Sequence, residues 1–86
     1  MKEKIMEATK DKLSELNVFI SDITYGKVDN ENTLTIILDS NEIIPLNKVV
    51  MATRIINPIL DKLDLIDESY TLDVYAKEKG DVNNEW

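Results

Sequence analysis

Between Leu46 and Leu63 the side chains of Leu46, Val49, Val50, Thr53, Ile56, Leu60 and Leu63 recur at the three- and four-residue spacing of one helix face. A stripe of that length has to be covered. The rest of the chain can therefore be treated as the material that covers it, and at 86 residues there is enough for one core and no second one.

The segments around this helix read as follows. Residues 1–16 predict a second amphipathic helix with a narrow stripe of Met1, Ile5, Ala8 or Thr9, Leu13 and Leu16. Asn17, which tolerates left-handed angles, stands where such a helix is capped. Residues 18–28 are rich in β-branched and aromatic side chains, but Val18 and Ile20 alternate out of phase with Phe19, Ile23 and Tyr25. A bulge near Ser21 and Asp22 reconciles the two phases. Gly26 and the run Asp29, Asn30, Glu31, Asn32 predict a hairpin turn longer than the tight two-residue kind. Thr33–Ser40 then alternates cleanly, with Leu34, Ile36 and Leu38 toward the helices.

After a loop, Pro45 fits the first turn of the long helix, where its missing N–H leaves no partner wanting. Pro58 removes the bond to the carbonyl of Arg54, so the helix either kinks there or restarts with Asn57 as a cap. Leu65 and Ile66 fold back onto the core. Tyr70–Ala76 predicts the last strand, with Tyr70, Leu72 and Val74 inward and Thr71, Asp73 and Tyr75 outward. The fold class is α+β: a two-layer sandwich in the order α-β-β-α-β, with two helices on one face of a three-stranded sheet. Right-handed return through the long helix favours a third strand parallel to the second, with the first between them. Residues 1–76 form the single domain, and residues 77–86 read as a polar, flexible tail.

The chain has no cysteine and no histidine, which removes disulfides, thiolate metal sites and imidazole triads together. Only Gly26 and Gly80 are present, too few and too far apart for a phosphate-cradling loop. The acidic clusters at residues 29–32 and 39–42 lack the glycine and distal glutamate of a calcium loop. Asp22, Asp39 and Asp73 are candidates for the outer sheet face, yet an open face does not desolvate carboxylates, so acid–base work by them is not expected. The expectation is no enzyme, no cofactor and no metal. Nothing approaches the roughly 18 apolar residues of a membrane span, and the N-terminus lacks a signal peptide's apolar core. A cytoplasmic location follows as an expectation.

The net charge is −7 and unevenly spread: residues 1–16 balance, residues 17–45 sum to −4, residues 46–66 to +1 and residues 67–86 to −4. The acid belongs to strands and loops, which repels phosphate and offers no direct grip on nucleic acid. Such a surface serves solubility, or it meets a basic protein. On the long helix, Met51 and Ile55 project opposite the core stripe, with Ile59 on its flank, among Lys48, Arg54 and Lys62. Either the first helix lies against them, or they form a docking patch for a partner or a second copy. The candidate partner surface is therefore Asp22, Asp39 and Asp73 with Met51, Arg54 and Ile55.

From about Leu13 to Val74 the chain resembles the N-terminal domain of the bacterial ribosome maturation factor RimP. Asn17, Val18, Ile20, Asp22, Ile23 and Tyr25 follow the order of that family's first strand, and Leu38 with Asp39 match the pair that ends its second. Leu46, Asn47 and Lys48, then Thr53 and Arg54, then Leu60 and Asp61 look like its helix, and Tyr70 to Val74 like its last strand. Pro45, Asn47, Lys48 and Pro58 depart from the family's helix, and Tyr75 to Gly80 stand where the family leads into a second, barrel-like domain. The resemblance implies non-catalytic assistance in maturing the small ribosomal subunit, through a basic ribosomal protein. The alternative is a self-associating or adaptor domain of the same fold that has lost the ribosome.

Overall fold

A computed structural model of the chain describes residues 1–77. The elements are α1 (Lys2–Ser14), β1 (Phe19–Val28), β2 (Glu31–Asp39), α2 (Leu46–Leu63) and β3 (Thr71–Ala76). They form the expected α+β architecture, two helices packed on a three-stranded mixed sheet. The tail expected at residues 77–86 lies, from Glu78 onward, outside the described residues.

α1 ends because Asn17 takes a left-handed φ of 61°. Its N–H donates to the carbonyl of Ser14 at 3.0 Å, and the N–H of Val18 reaches back to Leu13 at 3.3 Å, the bond pair of a Schellman cap. Leu13 and Val18, the two apolar side chains flanking that cap, are both in the core. The buried stripe of α1 is Ile5, Thr9 and Leu13, while Met1 is left 48% exposed. Thr9 is fully buried without an orphaned hydroxyl, since it donates to the carbonyl of Ile5 at 2.9 Å.

β1 and β2 pair antiparallel, with the register slipping between Ile20 and Asp22. That bulge puts Ile20, Ile23 and Tyr25 on the helix side and swings Phe19 out to 51% exposure, away from the face it shares with Ile23 in a regular strand. The hairpin is tighter than the sequence predicted. Asp29 and Asn30 alone make the turn, with φ of 52° and 67°, while Gly26 sits inside β1 opposite Thr33. Two consecutive left-handed residues are what a two-residue type I′ turn needs, and Asp and Asn supply them without glycine.

β3 pairs parallel with β2 in the order β1-β2-β3. The parallel return is as expected, but the second strand lies between the other two, not the first. β2 is the most apolar strand: Leu34, Ile36 and Leu38 are all 0% exposed, and a strand so built needs a neighbour on each edge. The bulged β1 is suited to an edge.

α2 runs without interruption through Pro58, so Asn57 does not start a new helix. Pro45 precedes the first turn as its cap, one place earlier than expected, and its carbonyl accepts from the N–H groups of Lys48 and Val49. The buried face of α2 is centred on Ala52, Ile56 and Leu60. Leu46 and Val50, assigned to the core stripe from sequence, are 78% and 44% exposed. The face is turned toward Ala52, which is fully buried. Leu65 and Ile66 fold back against the core, as the sequence predicted, and Tyr70, read there as the first residue of the last strand, packs on the core just ahead of β3.

Candidate partner-binding surface

The sheet leaves one face uncovered by helices, and the alternation of β2 decides which residues occupy it. Leu34, Ile36 and Leu38 point into the core, so Thr33, Thr35, Ile37 and Asp39 form the outer row. Cross-strand partners share a face, which adds Phe19, Asp22, Thr24 and Gly26 from β1 and Thr71, Asp73 and Tyr75 from β3. Ile37 lies opposite Tyr75, and Phe19 opposite Asp39. The outer face is thus a threonine-rich surface carrying Asp39 and Asp73, with Tyr75 47% and Phe19 51% exposed beside them.

Asp22, opposite Ile37 on the same face, is tied to the helix layer. Its carboxylate accepts from Lys2 Nζ of α1 at 2.8 Å and from the N–H of Ile23 at 2.9 Å. The Lys2 hydrogen bond, then the Ile23 N–H and the Lys2 charge, hold its carboxyl below the usual aspartate value. Asp22 serves as a tie between the edge strand and the helix layer. Asp39 accepts from the N–H of Ser40 at 2.7 Å, and Ser40 in turn donates through its hydroxyl to the carbonyl of Asn17 at 2.6 Å. Asp73 is exposed on β3 opposite Thr35.

On α2 the suspected pair divides. Ile55 is half-buried and packs on the core, whereas Met51 is 46% exposed and Arg54 is exposed beside it. Sequence reasoning missed Leu46, Val50 and Phe19 as surface residues. Ala52, four residues before Ile56 and eight before Leu60, was the signal for the helix phase.

The remaining features are less directed. A groove of about 680 Å³ runs between α1 and the start of β1, lined by Met6, Lys10, Phe19 and Glu42 among others. Tyr25 donates to Glu68 Oε1 at 3.0 Å, and partial burial followed by that carboxylate pushes its phenol up. Among the described residues no acidic group converges to hold a metal ion, and no helix is long and apolar enough to cross a membrane.

Residues 8–76 match the model of one protein family, described as the RimP N-terminal domain. The chain belongs to the RimP N-terminal domain family. The match covers β1, β2, α2 and β3 whole and α1 from Ala8. RimP is a ribosome maturation factor.

Proposed function

We propose that this domain assists maturation of the small ribosomal subunit in the cytoplasm, without a catalytic step, by docking its outer sheet face on a basic ribosomal protein. The observation that carries the reading is the pairing of Asp39 and Asp73 with exposed Phe19 and Tyr75 on the one uncovered face of a chain of net charge −7. Aromatic anchors and carboxylates together suit a cationic protein surface, and the same charge disfavours an RNA backbone. Family membership supplies the ribosomal context.

The test is sedimentation with small subunits from a lysate depleted of the endogenous factor. At low salt the domain should run with the small subunit, and it should leave those fractions as salt is raised. Persistent absence at low salt contradicts the reading. A second reading, a self-associating or adaptor domain, is favoured by exposed Met51. It predicts a concentration-dependent dimer that Met51→Lys abolishes.

A further inference from the structure

The two edges of the sheet are built differently. The β1 edge carries the bulge between Ile20 and Asp22 and the Lys2–Asp22 ion pair, features of the kind that discourage an edge from pairing. β3 has neither: Thr71–Ala76 contains no proline, lysine or bulge, and among the described residues no backbone hydrogen bond reaches its outer edge. The N–H of Lys77 donates to the carbonyl of Leu38 at 2.7 Å, which fixes the phase of the strand end. Alternation then turns the amides of Leu72, Val74 and Ala76 outward.

The side chains of those three residues are only half-buried, while Leu34, Ile36 and Leu38 beside them are fully buried. α2 runs antiparallel to β3, and its flank bearing Asn57 and Asp61 faces that strand, for both line a crevice with Tyr70 and Leu72. At helical spacing Leu46 and Val50 lie on this same flank, near the end of β3, and stay exposed. An inner row of side chains and an overhanging helix flank thus extend past the last strand.

We propose that the β3 edge accepts an extended segment of a partner protein in which aliphatic side chains alternate with Lys or Arg. Backbone pairing with the amides of Leu72, Val74 and Ala76 adds a fourth strand. The aliphatic side chains continue the inner row beneath Leu46 and Val50, and the cationic ones fall on the outer face beside Asp73. Charge selects this occupant over a second copy, which would bring another −7 to the edge. The inference deepens the docking of a basic ribosomal protein and rests on that reading for its biological partner.

The experiment is amide hydrogen exchange on the full chain with a synthetic Lys-Val-Lys-Val-Lys-Val peptide. Protection of the Leu72, Val74 and Ala76 amides should rise about ten-fold or more at saturation. Leu46→Asp/Val50→Asp should lose it, Met51→Asp should keep it, and Asp73→Lys should weaken it. No binding, binding without protection of these amides, or protection on β1 overturns the proposal. So does protection that grows with protein concentration alone, which would mark a second copy. If the peptide fails while the domain still sediments with small subunits, the edge proposal falls and the ribosomal reading stands. Edge protection without sedimentation supports the edge and removes the ribosomal reading.

Discussion

Asp22 and Lys2 are both partly exposed, so their ion pair is screened by salt and adds little to stability. Its effect is better seen in titration. Because Lys2 depresses the carboxyl, the interaction is present above the unfolded aspartate value and is lost as pH falls through the folded one. Site-resolved NMR titration should find Asp22 titrating below an ordinary aspartate, and Lys2→Ala should move it back up. The left-handed residues make a second prediction. Asn30 sits at φ 67°, where a β-branched side chain is strained, so Asn30→Val should cost about 1–2 kcal/mol in urea unfolding. Asn30→Gly should cost little or nothing.

At the scale of the element, α2 separates what repeats from what is buried. Seven side chains recur on one side of it, yet periodicity counts Leu46 and Val50 at full weight though they lie in the first turns of the helix and stay exposed. Ala52, which hydropathy reading undervalues, marks the true centre of the buried face. Ile56→Ala should therefore cost about 2–5 kcal/mol, and Leu46→Ala should stay within about 0.5 kcal/mol of the parent, both by denaturant titration. Pro58 is exposed inside the helix and leaves the Arg54 carbonyl without its intrahelical donor. Pro58→Ala should raise the unfolding midpoint, by an amount equivalent to as much as about 3 kcal/mol.

For the molecule as a whole, the two-layer architecture was legible because three local signals agreed: the clean alternation of Leu34, Ile36 and Leu38, the cap residue Asn17, and the parallel return through a long helix. The bulge near Ser21 was legible for the same reason, as two phases of alternation in one strand demand a slip. Strand order was not. Handedness allows a parallel third strand on either side of the pair, and what places β2 in the middle is burial on both its edges, which appears only once the sheet is assembled. The candidate site was half legible. Asp39 and Asp73 follow from alternation alone, but the capture of Asp22 by Lys2 joins residues 20 apart in sequence, and no local pattern announces it. The exposed aromatics Phe19 and Tyr75 give that acidic face a chemistry that net charge does not describe.

The acidic outer face is the claim on which the proposed role depends. Equilibrium binding of the domain to purified immature small subunits, compared between Asp39→Lys/Asp73→Lys and Lys48→Glu/Arg54→Glu, addresses it directly. The sheet variant should lose about ten-fold or more in affinity and the helix variant should bind like the parent. Unchanged binding of the sheet variant, or loss confined to the helix variant, would contradict the account.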